Sequence, residues 1–402
     1  MITTVGSPSH GRAQLPLVRA LAAAGHEVLA VTTEPTASVF AQENVRVTSS
    51  IKDFIPGDHA AVRLKEISAR TDLEESERNA LIVDELSRTL SGRMAEDLLE
   101  AVLPEAREFR PDLILRDGMD MSSVLIGQMF GIPQLPTPSG ASNSMNPAEI
   151  LPGLNVLRAK HGLPTDESPL SIVPHGRIDY VPSEFTFAAY LPASFSYRQT
   201  VTVDRDSVLP RWVVDLPTDR PLVFAALGTA LPMLHQMLNQ EEPPELPFTV
   251  QDPVTTLRSL IGAAALLEEC TVIVATAGLP TDTDALPPHV HLTDRLPQPL
   301  LLEACDLLLT HGGFNSIRES LRTATPMAIL PQFGDQPGNA LRVEELGLGR
   351  LITDTTADGI AGVCRAVLAD PAIGARARRA RLAMLALPEI EAAVADLEAL
   401  VA

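Results

Sequence analysis

The chain has 402 residues, 45% of them hydrophobic and 20% charged, which is enough apolar material for two domains of roughly 150–200 residues, each with its own core. A formal net charge of −20 argues against nucleic acid and anionic membrane as partners, because both need a basic footprint; an anionic ligand would need a locally built positive site. No apolar run reaches the roughly 18 residues of a membrane span, no leader pattern opens the chain, and Cys270, Cys305 and Cys364 are far apart with no CxxC pair, so a cytoplasmic protein with buried thiols is expected.

In chain order, "ITTVG" (2–6) reads as a strand that leads into a helix through "LPLVRALAAAG", with Leu17, Ala20, Leu21 and Ala24 on one face and Gly25 as the stop. "EVLAVTT" resumes as a strand and completes a βαβ unit. Segment 52–110 reads as polar helices. Strands are expected at 112–117 ("DLILRD") and 133–137 ("PQLPT"), followed by a Ser, Asn and Pro loop and the helix "GLNVLRAKHGL" within 139–178. "PRWVVDLPTDRP" (210–221), rich in proline and charge, reads as a domain linker. A second series of strands is expected at 221–228, 271–278, 306–312 and 326–332, interrupted by an acidic, proline-containing insertion at 234–253. Apolar strands alternating with helices predict α/β layering with parallel sheets.

The stretch "THGGFNSIRESL" (310–321) carries the strongest chemical signal. A strand that runs into "THGG" and then a helix starting near Phe314 offers uncapped N–H groups, the positive end of a helix dipole and glycines that admit an anion. Asn315, Ser316 and His311 add donors. Glu319, one turn further on, can accept from hydroxyls, so the set suits a pyrophosphate with a ribose attached.

From Asp294 to Gly349 the sequence resembles the nucleotide-sugar signature of the family 1 glycosyltransferases, and "SHGRAQLPLVRALAAAGHEV" (9–28) is similar to the first helix of actinobacterial macrolide and antibiotic glycosyltransferases. The resemblance implies a GT-B fold of two Rossmann-like doubly wound parallel-sheet domains facing a cleft. The N-terminal acceptor domain would span 1–209 and the C-terminal nucleotide-sugar domain 219–385, with a terminal helix at 386–402 packing back on the first. It also implies residue roles. His311, Gly312 and Gly313 would hold the diphosphate with Asn315 and Ser316, and Gly228 with Thr229 would close the other side. Glu319 would hold the ribose, and Asp335 with Gln336 would bond the sugar hydroxyls, a pair that in the family often accompanies glucose. Arg295, Leu296 and Gln298 of "DRLPQ" complete the donor set. Many members have a base-stacking tryptophan where this chain has Arg295, whose guanidinium can stack on a base while the Leu296 backbone reads its edge.

By the same resemblance His10 is the catalytic base for the acceptor hydroxyl, oriented by Asp117, with Asp120 in reserve. The implied activity is inverting transfer of a hexose, glucose first, from a UDP-sugar to a hydroxyl of a large apolar natural product: a macrolide, an ansamycin of the rifamycin type or an aromatic polyketide. Its role would be antibiotic inactivation or tailoring. The acceptor pocket would draw on 52–110, 139–160 and the turn around Met119 to Met121. Glu319 bonding both ribose hydroxyls would favour UDP over TDP donors. No metal is required on this reading, and the Asp282–Asp284 DxD pair is an ordinary loop; the resemblance admits a homodimer. The alternative is a GT-B nucleotide-sugar sensor or auxiliary protein without transferase activity.

Overall fold

The computed structural model describes residues 1–52, 60–191, 193–198, 207–228, 230–239, 251–281 and 286–402. They form two compact units, one from the described residues of 1–200 with 387–402, the other from those of 201–386.

In the first unit five strands, β1 (Ile2–Thr3), β2 (Leu29–Val31), β3 (Arg46–Thr48), β4 (Ile114–Arg116) and β5 (Gln134–Pro136), form a parallel sheet in the order β3-β2-β1-β4-β5. Successive residues serve opposite layers, as the two-residue period of a strand requires. Leu29, Val31 and Ile114 enter a core with the helices Arg93–Phe109, Ser122–Phe130 and Pro147–Lys160. Ile2, Ala30, Leu115 and Leu135 enter another with the helix Pro8–Ala23. That helix ends where Gly25 takes φ +93°, with the His26 N–H reaching back to the Leu21 carbonyl at 3.1 Å. A parallel pair, β6 (Ile178–Asp179) and β7 (Phe195–Ser196), completes the strands among the described residues of this unit. Ile390, Ala393 and Leu397, on and beside the helix Ala392–Glu398, pack into the second core, and Tyr197 donates to Asp396 at 2.8 Å.

In the second unit β8 (Leu222–Ala226), β9 (Thr271–Ala275), β10 (Val290–Thr293), β11 (Leu307–Thr310), β12 (Met327–Ile329) and β13 (Gly349–Leu351) run parallel in the order β10-β9-β8-β11-β12-β13. Besides the short β6 and β7, the sequence reading lacks β3, β10 and β13 of the two larger sheets. Each is a sheet edge, and edge strands carry polar side chains rather than the apolar run that marks a doubly covered strand.

The segment 210–221 is not a linker. It contains the helix Arg211–Val214, and Leu209, Val213 and Leu216 pack on the core around Phe224, Ile273 and Leu301, while the Trp212 ring stacks on His291 at 5.9 Å. Its prolines and charges obscured an apolar stripe with helical spacing. Cys270 and Cys364 are buried and Cys305 partly so; burial pushes the three thiols, in chain order, up to about 11, 12 and 12. Among the described residues no helix is long and apolar enough to cross a membrane.

Candidate functional site

In each unit the strand order reverses direction at one place, and there the loops leaving the carboxyl ends of neighbouring strands diverge and leave room for a ligand. In the first unit the reversal lies between β1 and β4. His10 sits in the first turn of the helix that follows β1, and Asp117 follows β4 directly. His10 Nδ1 lies 2.8 Å from Asp117 Oδ2; the imidazole side chain is 20% exposed and the carboxylate 1%. Asp117 is fixed from both sides, because Oδ2 also accepts the Val5 N–H at 3.2 Å and Oδ1 the Met119 N–H at 2.9 Å. A carboxylate on Nδ1 places the proton there and makes Nε2 the basic nitrogen.

Asp120, the reserve partner, is committed elsewhere. It accepts from the hydroxyls of Thr3 at 2.6 Å and of Ser122 and Ser123 at 2.5 Å each, and from the Ser123 N–H at 3.2 Å. Behind this turn Gln14 ties the helix to the sheet, donating to the Thr3 carbonyl and the Thr137 hydroxyl at 2.9 Å each.

In the second unit the reversal lies between β8 and β11, and Gly228 and His311 follow those strands. The His311 ring is clamped by glycines. A Cβ on Gly228 would lie 2.4 Å from its Cε1, and one on Gly313 would lie 2.5 Å from its Nε2. Gly228 also has φ +71°, which L side chains adopt only at a cost. Burial pushes the His311 pKa down to about 4, against a hydrogen bond to the Ala226 carbonyl that raises it. His311 is therefore neutral at pH 7 and brings no positive charge of its own to an anion. The helix Phe314–Thr323 brings the positive end of its backbone dipole, and its N-cap is Gly313, which has no side chain to cap the first turn. Asn315 and Ser316 are thus not caps. Asn315 Oδ1 accepts from Arg318, and Ser316 Oγ accepts from Gln298 Nε2 at 3.0 Å.

The same Gln298 amide donates to Glu319 Oε2 at 2.7 Å, joining Gln298, Ser316 and Glu319 in one group. Of the two carboxylate oxygens expected to face the ribose, Oε2 thus also accepts from within the protein, which leaves it one lone pair fewer for a hydroxyl. Gln336 is likewise turned inward: its Oε1 accepts the N–H groups of Gln332 and Phe333 at 2.9 and 3.2 Å. Asp335 Oδ2 accepts from Asn339 Nδ2 at 2.8 Å, and that amide also bonds the Gly312 carbonyl at 3.0 Å. Asn339 thus links the turn bearing Asp335 to the "HGG" loop. The sequence reading missed it, although the i,i+4 spacing of Asp335 and Asn339 was visible. Arg295 is exposed beyond β10, and the Leu296 side chain packs on the unit's core. Thr229 and the Asp282–Asp284 pair lie outside the described residues. Among the described residues no three His, Cys, Asp or Glu side chains stand close enough to hold a metal ion.

Residues 258–400 match the C-terminal domain of proteins like erythromycin biosynthesis protein CIII. Oleandomycin glycosyltransferase of Streptomyces antibioticus is 37% identical over 107 residues, 26% of this chain and 25% of that protein. The NDP-glycosyltransferase YjiC of Bacillus subtilis is 22% identical over 426 residues, 99% of this chain and 96% of that one. The solved structure of the spinosyn rhamnosyltransferase SpnG complexed with thymidine diphosphate has a TM-score of 0.74 at 21% identity, covering 99% of both chains. The fold is GT-B, and the homologues include antibiotic glycosyltransferases.

Proposed function

We propose, from the premise of a GT-B fold with an EryCIII-like C-terminal domain, that the chain is an inverting glycosyltransferase that moves a hexose from a nucleoside diphosphate to a hydroxyl of a large apolar natural product. The observation that carries this reading is the 2.8 Å contact between His10 and a buried Asp117 at the β1/β4 reversal, a base with its orienting carboxylate that a binding protein does not need. The acceptor oxygen attacks the anomeric carbon as His10 Nε2 takes its proton. The bond from that carbon to the phosphate oxygen breaks, and the nucleoside diphosphate leaves with the electron pair. Amides around His311–Phe314 and the helix dipole stabilise its charge. The test is release of nucleoside diphosphate, with the matching mass gain, against macrolide, ansamycin and aromatic polyketide acceptors. No mass gain on any acceptor, with nucleotide binding intact, would favour the sensor reading.

UDP-glucose is the donor suggested by the sequence. A second reading, a thymidine diphosphate donor, is favoured by the bond from Gln298 to Glu319 Oε2, because an oxygen that already accepts one hydrogen bond binds a 2′ hydroxyl less strongly and so discriminates less against its loss. The wild type should therefore prefer UDP-glucose over TDP-glucose by less than about tenfold in kcat/KM, and Gln298→Leu, which releases that oxygen, should raise the ratio. A wild-type ratio well above ten, insensitive to Gln298→Leu, would restore the two-hydroxyl clamp.

The metal-free reading also gives an expected result. With the leaving group held by amides, activity should survive exhaustive treatment with EDTA. Loss of activity on chelation and its return with manganese or magnesium would bring the Asp282–Asp284 pair back into consideration.

A further inference from the structure

Strand β4 carries an arginine where a doubly covered parallel strand calls for an apolar side chain. Arg116 is 1% exposed, and all three of its nitrogens are bonded. Nε donates to Gln134 Oε1 at 2.7 Å and Nη2 to the Ile172 carbonyl at 3.0 Å. Nη1 gathers the carbonyls of Asp117, Gly118 and Asp120 at 3.2, 3.3 and 3.4 Å. Burial brings its pKa down to about 10, against attraction from Asp120 and Asp117, so it remains a cation at neutral pH.

Building on the glycosyltransferase reading above, we propose that Arg116 is a positioning residue for the His10–Asp117 dyad: its fork shapes the 117–120 turn that aims the Asp117 carboxylate, and its buried charge offsets Asp117 and Asp120 and so sets the base strength of His10. The geometric part follows from the Met119 N–H, which holds Asp117 Oδ1 from within the turn whose carbonyls the guanidinium binds. The electrostatic part follows from charge. Asp117 accepts from the Val5 and Met119 N–H groups and faces His10 Nδ1, and Asp120 has four donors. Counting the two acids as carboxylates, the three groups sum to one negative charge with Arg116 and to two without it, which favours the imidazolium and leaves less free imidazole to take a proton at neutral pH.

Other charged groups on and around the His10 helix, among the described residues, include Arg12 and the Arg19–Glu43 pair, Glu34 on the short helix Glu34–Ala37, His26 with Glu398, and Asp396 with Tyr197. Every variant below keeps them all, so they cancel in the comparison.

The test is a side-chain NMR titration of His10 in the full chain without donor or acceptor, assigned against His10→Ala. Arg116→Gln should raise the His10 midpoint by about one pH unit, and Asp120→Asn should lower it by about as much. Arg116→Lys keeps the charge but loses the fork, so its midpoint should stay at the wild-type value while kcat falls by about tenfold or more with KM little changed. An unchanged or lowered midpoint in Arg116→Gln overturns the charge role; should that variant not fold, an unchanged midpoint in Asp120→Asn does so. Wild-type kcat in Arg116→Lys overturns the positioning role. A wild type without transferase activity would remove the proposed function, while the titration would still read the coupling.

Discussion

His10→Ala should lower turnover by about 100-fold or more while leaving nucleoside diphosphate affinity nearly unchanged. The asymmetry follows from where the group acts. His10 belongs to the β1/β4 reversal of the first unit, whereas every residue assigned to the donor lies in the second, so removing the imidazole touches proton transfer from the acceptor and not the diphosphate site. The contribution of a general base runs to about 10²–10⁴ in rate. Asp117→Asn should cost less but in the same parameter: its single carbonyl oxygen can still accept from one of the Val5 and Met119 N–H groups, which bond different oxygens of the carboxylate, but the amide stabilises the imidazolium poorly and can present its N–H₂ to Nδ1 and invert the tautomer. Single-turnover rates with saturating donor, and calorimetric affinity for the nucleoside diphosphate, separate the two quantities. Near wild-type turnover in His10→Ala at any pH between about 6 and 9 would remove the base assignment.

The parts of the molecule legible in the sequence are those where one local pattern has one physical cause. Central strands such as β8, β9, β11 and β12 are covered on both faces, so each reads as an apolar run, whereas edge strands such as β10 ("VHLT") do not. The helix after "HGG" was visible because glycine and a short polar run mark a helix start, and it begins at Phe314 as that reading expects. Pairings across long sequence distances were not legible from residues alone. His10 and Asp117 are 107 residues apart, and only the family resemblance joined them before the fold did. Arg116 passed unremarked within "DLILRD", and its meaning depends on carbonyls whose direction the turn decides. Gln298 and Glu319 were both named for the donor site, yet their bond to each other, which changes what Glu319 can offer, is a matter of side-chain direction that spacing does not encode.

Gly228→Ala should abolish most nucleotide binding, through the wall it forms against His311. Two costs combine at this position. The backbone has φ +71°, where a Cβ costs roughly 1–2 kcal/mol. The added methyl would also lie 2.4, 2.8 and 3.2 Å from Cε1, Nε2 and Nδ1 of His311, so the ring or the loop must move. The ring has little room, because a Cβ on Gly313 would stand only 2.5 Å from its Nε2 and the residue is 7% exposed. Overpacking of this kind costs typically about 1–3 kcal/mol. Its functional price is displacement of the "HGG" amides from the positions a diphosphate needs, and an affinity loss of about 10–100-fold follows if roughly 1.4–2.8 kcal/mol of that cost falls on the bound state. Gly347 supplies the control in the same unit: it has φ +68°, but a Cβ there meets only Arg376 Cγ at an ordinary 3.6 Å. Gly347→Ala should therefore show the backbone cost in a urea melt and keep its nucleotide affinity, while Gly228→Ala should lose both. Equal nucleotide affinity in the two variants would mean that the contact between Gly228 and His311 does not shape the diphosphate site.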